Sequence, residues 1–265
     1  MGRFDGILIV SDVDGTFIAK GRVIAERNIK AVRYFISEGG HFTFATGRDH
    51  IALLAVVPMA PELTNAPIIN ANGGYLYSFA RKEMINPIFL PEKSIRNAVD
   101  FIYDYKDSLG IRYSALDGSK YCRRAVIEPS YADAPLLERN EWDFEKCFKV
   151  VVRGLPEELD ELRPILEERF GGELGFVKSS ARLLEMVPPG VNKGCAVNAL
   201  RKYFHSLGQN VKVYACGDNE NDIEMLRAAD VAICPSNAID RVKEISHHTL
   251  CSSGEGLIAD LIDML

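Results

Sequence analysis

An apolar run that stops abruptly at paired acidic residues limits what this chain can be. Ile7-Leu8-Ile9-Val10 is followed at once by Ser11-Asp12-Val13-Asp14-Gly15-Thr16. A run of this length, with no polar alternation, reads as a strand buried on both faces, and such strands belong to parallel sheets covered by helices on each side. In extended geometry alternate side chains share a face, so Asp12 and Asp14 are expected to point at one place. Gly15 then permits a sharp turn. Ligands of open α/β sheets bind beyond the carboxyl ends of the strands, where these two carboxylates would sit.

The same rhythm recurs. Ile29, Val32, Phe35 and Ile36 have helical spacing and are followed by Gly39-Gly40, so a helix is expected over about 25–38. His41 to Ala45 reads as the next strand, ending at Thr46-Gly47-Arg48, and Pro67-Ile68-Ile69 as a third. Near the C-terminus, 194–207 reads as a helix stopped by Gly208, 211–216 as a strand closed by Gly217-Asp218, 221–229 as a helix and 231–233 as a strand. The fold class is therefore α/β: a Rossmann-like, doubly wound parallel sheet. The middle differs. Tyr75–Phe79 and Met84–Phe89 read as a strand pair, and a helix follows over about 91–109. Strands at 111–115 and 120–127 flank the hairpin signal Asp117-Gly118. A further strand (148–152), a helix (156–170) and two strands (174–178 and 182–187) come before Pro188-Pro189-Gly190. This describes an inserted α+β domain over 84–188, with the core formed by 1–83 and 189–265.

Composition narrows the function classes. With 31 basic and 37 acidic residues the net charge is −6, unlike a general binder of nucleic acid or acidic membrane. No segment approaches the ~20 apolar residues that cross a bilayer, and the opening apolar run is too short for a secretory signal, so a cytoplasmic protein is expected. The six cysteines form no CxxC pair and several lie in apolar strands, which suits reduced, mostly buried thiols. The five histidines show no zinc-binding spacing.

Asp218 opens the second polar cluster, Asp218-Asn219-Glu220-Asn221-Asp222, again after an apolar strand. It can add a third carboxylate to Asp12 and Asp14, and crowded carboxylates repel unless a cation or shared proton compensates. A hard cation such as Mg2+ takes oxygen ligands of this kind. Helix capping accounts for one of Asn221 and Asp222 but poorly for the whole cluster. Thr46 could offer a hydroxyl and an amide to an anion. Lys193 precedes a helix whose N-terminus already favours anions.

Together, and in this order, these elements resemble the haloacid dehalogenase superfamily, and within it the Cof-type phosphatases with a type IIB α/β cap. Asp12-Val13-Asp14-Gly15-Thr16 matches the first motif, Thr46-Gly47-Arg48 the second and Lys193-Gly194 the third. Gly217-Asp218 with Asn221-Asp222 matches the fourth, and Asn72-Gly73-Gly74 and Ser236-Asn237-Ala238 resemble flanking features. The resemblance implies a Mg2+-dependent phosphatase acting on a small phosphorylated metabolite, foremost a sugar phosphate, through an aspartyl-phosphate. Asp12 would be the nucleophile and Asp14 the acid and base. Thr46 and Lys193 would hold the phosphoryl oxygens, with Gly47, Arg48, Asn72 and Asn221 in the phosphate or substrate site. Asp12, Asp14 (through its backbone carbonyl) and Asp218 would hold the metal, supported by Asp222. The inserted domain would close over the site and select the leaving group; its Arg112, Lys120, Arg123 and Arg124 either meet an anionic or polyhydroxylated substrate or form a solvated basic edge. A monomer or homodimer without nucleic-acid or membrane partners is expected. A phosphomutase of the phosphomannomutase kind and a catalytically silent sugar-phosphate binder are the competing readings.

Overall fold

The computed structural model describes residues 2–125 and 131–265. Two compact units are present, Met1–Asn86 with Asn192–Leu265, and Pro87–Val191. The first contains an eight-stranded sheet in the order His248–Leu250, Val231–Pro235, Lys212–Cys216, Ile7–Asp12, His41–Ala45, Ile68–Asn70, Tyr75–Ser78, Glu83–Ile85. The first six strands run parallel, Tyr75–Ser78 runs against them, and Glu83–Ile85 pairs antiparallel with Tyr75–Ser78. Leu8, Ile9 and Val10 have no exposed surface, which is why the run lacks polar alternation. Ile9 packs toward the helices Glu26–Ser37 and Leu257–Met264 through Val32, Phe35, Leu257 and Leu261. Leu8 and Val10 pack the other way, against Val197, Leu200 and Phe204 of the helix Lys193–Ser206. Both faces of the sheet are thus covered. Strand order reverses at Ile7–Asp12: the chain steps to His41–Ala45 on one side, while Lys212–Cys216 lies on the other. That reversal opens a crevice at the strand's carboxyl end, where Asp12 stands.

One organisational expectation changes. The second strand of the expected pair, read as 84–89 and so placed in the insert, is Glu83–Ile85 and extends the core sheet by pairing with Tyr75–Ser78, itself bonded to Ile68–Asn70 as an antiparallel edge. The division between units falls after Asn86 and after Val191, where the sequence suggests 83 and 188. The chain turns back at Asn72 (φ 55°) and Gly73 (φ 102°), left-handed conformations that reverse its direction right after the parallel strand.

Within Pro87–Val191 a five-stranded antiparallel sheet has the order Gly175–Ser180, Leu183–Val187, Cys147–Arg153, Gly110–Ala115, Gly118–Arg123. Ile111, Tyr113, Val150, Val152, Leu184 and Met186 pack with Ile95, Val99 and Ile102 of the helix Glu92–Tyr105 and with Leu159, Leu162 and Leu166 of the helix Pro156–Phe170. Residues of opposite parity carry polar groups: Arg112, Ser114, Lys149 and Glu185 are all buried, and Lys149 Nζ lies 3.1 Å from Glu185 Oε2. The expected strand 120–127 ends at Arg123, and its last two positions, Val126 and Ile127, lie outside the described residues. The four basic residues noted in the sequence are not a solvated edge. Arg112 stacks 3.5 Å over the Tyr131 ring, and Lys120 pairs with Asp117 at 2.5 Å. Arg123 donates to the carbonyls of Tyr103 and Lys106, and Arg124 to that of Ala134. All six cysteines are free, four of them buried. Among the described residues no helix is long and apolar enough to cross a membrane.

Candidate active site

Asp12 ends the central strand, only 6% exposed, and its carboxylate is met by a lysine 181 positions away. Lys193 Nζ donates to Asp12 Oδ1 at 2.5 Å and to Asp222 Oδ1 at 2.6 Å, with none of the lysine exposed. Lys193 is the first residue of its helix, where a positive charge opposes the helix dipole. Its place there is explained by the two carboxylates, not by the helix. The approach depends on its neighbour: a Cβ at Gly194 would stand 2.3 Å from the Glu224 carbonyl oxygen, so glycine lets the helix start lie against the segment that follows Asp222.

Asp222 is fully buried and its oxygens are largely used. Oδ1 accepts from Lys193, and Oδ2 accepts from the amides of Asp218 (2.9 Å) and Asn219 (3.0 Å). It fixes the loop that presents Asp218. Thr16 Oγ1 then donates to Asp218 Oδ1 at 2.7 Å, which ties the first acidic motif to the last. Thr16 is a neighbour that the residue pattern leaves unassigned. So is Asn237, whose Nδ2 donates to the Gly15 carbonyl (2.9 Å) while its Oδ1 accepts from the Ser253 amide.

The second group of sequence-derived residues also gathers here. The Thr46 amide donates to the Ile69 carbonyl and Thr46 Oγ1 accepts from the Arg48 amide (3.1 Å), with Gly47 in the turn between. The Asn72 amide donates to the Thr46 carbonyl, and Asn221 Nδ2 donates to Asn72 Oδ1 at 3.0 Å. One placement differs from expectation. The carboxylate oxygens that cluster, within 4.8 Å of one another, belong to Asp12, Asp218 and Asp222. The Asp14 carboxylate instead accepts two bonds from Arg48, at 2.7 Å each, and is about half exposed. Same-face alternation holds only within a strand. This strand ends at Asp12, and Asp14 sits in a turn closed by the Gly15 amide on the Ile18 carbonyl.

Charge is the dominant feature of the cluster. Burial, then Asp222, drives the Asp12 carboxyl well above the ordinary range; Lys193 opposes this, and Asp218 and Asp14 add to it. Burial and Asp222 push Asp218 up to about 7, moderated by the Thr16 bond. Burial works against the Lys193 ammonium, yet Asp12 and Asp222 outweigh it and hold the group charged. Three buried or half-buried carboxylates against one ammonium leave a negative excess that a cation would relieve. The donors are all oxygen, which suits Mg2+. Gly15, at φ 95°, makes room: a Cβ there would lie 2.3 Å from Asp218 Oδ2. Gly15→Ala is therefore expected to displace Asp218 from the acidic cluster and weaken cation binding there by about tenfold or more. Titration calorimetry with Mg2+ on the folded variant checks this; unchanged affinity contradicts it.

A doubly wound α/β sheet with an acidic centre and a buried lysine at its switch point defines the class of protein. The chain belongs to the haloacid dehalogenase-like hydrolases, whose family profile matches residues 9–262. Among curated relatives, the Bacillus subtilis 5-amino-6-(5-phospho-D-ribitylamino)uracil phosphatase YcsE is 27% identical, over 96% of this chain and 94% of the relative. The B. subtilis 5-amino-6-(5-phospho-D-ribitylamino)uracil phosphatase YitU is 23% identical, over 95% of this chain and 94% of the relative. Among solved structures, TM0651 from Thermotoga maritima superposes with a TM-score of 0.78 at 25% identity, covering 98% of this chain and 97% of that one.

Proposed function

We propose that this hydrolase is a Mg2+-dependent phosphatase that cleaves a small phosphate monoester through an aspartyl-phosphate on Asp12. The observation that carries the reading is Lys193, buried and bonded to both Asp12 and Asp222 at the carboxyl end of the central strand. Lys193 engages Oδ1 of Asp12, and among the described residues no hydrogen bond is made to Oδ2, which is left for attack on phosphorus. In the first step Asp12 bonds to phosphorus, the bond to the alcohol oxygen breaks, and Asp14 gives that oxygen a proton. In the second step Asp14 takes a proton from water as the water oxygen bonds to phosphorus, and inorganic phosphate leaves Asp12. Lys193 and Thr46 stabilise the charge spread over the phosphoryl oxygens. Gly47, Asn72 and Asn221 shape the pocket around them, and Arg48 bonds to the Asp14 carboxylate. Asp12, Asp218 and the Asp14 backbone carbonyl would hold Mg2+, with Asp222 fixing the loop behind Asp218. Mg2+, when bound, supplies positive charge that screens the nucleophile from the dianionic ester.

The unit Pro87–Val191 would select the leaving group. A sugar or polyol phosphate is the proposed substrate class; the names of YcsE and YitU, both acting on a phosphorylated ribityl chain, support it. Measuring inorganic phosphate released from a panel of phosphorylated metabolites at fixed Mg2+ tests the reading. Isomerised sugar phosphate without free phosphate would indicate a mutase instead, and binding without either product a silent sensor. Chelation by EDTA is expected to abolish phosphate release, and added Mg2+ to restore it. Mg2+ at a hundred times its dissociation constant should raise the unfolding free energy by about 2.7 kcal/mol, read as a higher melting temperature. Full activity in EDTA would exclude the metal.

A further inference from the structure

Arg48 meets Asp14 with a two-pronged contact: Nε donates to Oδ2 and Nη2 to Oδ1, both at 2.7 Å. Two parallel bonds fix the plane of a carboxyl group as well as its position, which one bond does not. The arginine is delivered from a backbone that is itself held. Its amide donates to Thr46 Oγ1, and its carbonyl accepts from Asn70 Nδ2 (3.1 Å) and from the Ala71 amide (3.0 Å). Asp14 comes from a turn pinned by the Gly15 amide on the Ile18 carbonyl and by Asn237 on the Gly15 carbonyl. The fork therefore joins two fixed frames, 34 positions apart in sequence. Asp14 is half exposed, so the pair adds little to stability and its contribution is geometric.

We propose that Arg48 is the positioning residue for Asp14, holding its carboxyl group where a proton passes to the departing alcohol oxygen. The proposal rests on the reading of Asp14 as the acid. Arg48 itself neither gives nor takes a proton. The proton of the Asp14 carboxyl moves to the alcohol oxygen as the phosphorus–oxygen bond breaks, and the resulting carboxylate keeps the two Arg48 donors. A direct grip of Arg48 on the phosphoryl group is the alternative, and it predicts the same loss for every ester.

The test compares Arg48→Met with the parent on 4-nitrophenyl phosphate, whose leaving oxygen needs little protonation, and on benzyl phosphate, whose leaving oxygen needs it. The rate of alcohol release in a single turnover, which reads the first step without the water step in which Asp14 is the base, is expected to fall by about 100-fold on benzyl phosphate, the usual worth of a positioned acid, and on 4-nitrophenyl phosphate by less than about fivefold. Asp14→Asn should show the same pattern, and Arg48→Met added to it should cost nothing further on benzyl phosphate. Arg48→Lys keeps the charge without the fork and should recover little; it also carries the test if the methionine variant fails to fold. Equal single-turnover losses on both esters, weaker ester binding at an unchanged single-turnover rate, or a full further loss in the Asp14→Asn background would overturn the proposal. Turnover by Asp12→Asn protein would instead strike the phosphatase reading, so the two failures are distinct.

Discussion

Asp12→Asn protein is expected to lose phosphate release by on the order of 10⁴-fold or more, as removal of a covalent nucleophile does elsewhere. The change is close to isosteric, and the amide oxygen can still accept from Lys193. It lacks the carboxylate oxygen whose bond to phosphorus makes the proposed aspartyl-phosphate. The fold should not suffer. Asp12 is a buried carboxylate that repels Asp222, Asp218 and Asp14, and its carboxyl is driven well above the ordinary range by burial before all else. A neutral amide removes that repulsion while Lys193 keeps Asp222 as its partner. The melting temperature in the absence of metal should therefore hold or rise while turnover disappears. Phosphate release and thermal melting on one preparation give both readings. Activity above about a hundredth of the parent rate would remove Asp12 from the mechanism.

Lys193→Met is expected to act in the opposite sense on stability. It leaves Asp12 and Asp222, 6% and 0% exposed, with no cation between them. Removing one partner of a buried ionic network costs about 3–5 kcal/mol, because the remaining charge has neither water nor a counter-ion. For a chain of this size that corresponds to a melting temperature lowered by roughly 10 °C. Mg2+ should recover part of the loss by supplying charge to the same carboxylates. Activity should fall as well, since in the proposed mechanism the phosphoryl oxygens lose a fixed donor. An unchanged melting temperature without metal would mean that the ammonium does not hold the acidic centre together.

The parallel part of the fold is legible because burial on both faces leaves a distinctive local mark. Ile7–Asp12, His41–Ala45 and Lys212–Cys216 are apolar runs closed by turn residues, and the helix Pro156–Phe170 coincides with the expected 156–170. The strands Tyr75–Ser78 and Glu83–Ile85 show the limit. A hairpin at the edge of one sheet has the same local pattern as a hairpin that opens an inserted unit. Only its hydrogen bonds to Ile68–Asn70 decide between them.

The site divides along the same line. Apolar runs and turn residues are local properties, so the sequence by itself determined that Asp12, Thr46 and Asp218 follow buried strands and that Lys193 stands at the approach to a helix. Which of these groups touch is a matter of distance across 181 or 202 positions, and only the tertiary structure decided that Lys193 binds Asp12 and Asp222 and that Thr16 holds Asp218. It likewise turned Asp14 toward Arg48, since the alternation that pairs Asp14 with Asp12 lapses once the strand has ended. A hydrogen bond depends on a few ångströms and an angle, and residue order sets neither until the sheet has brought its strand ends together.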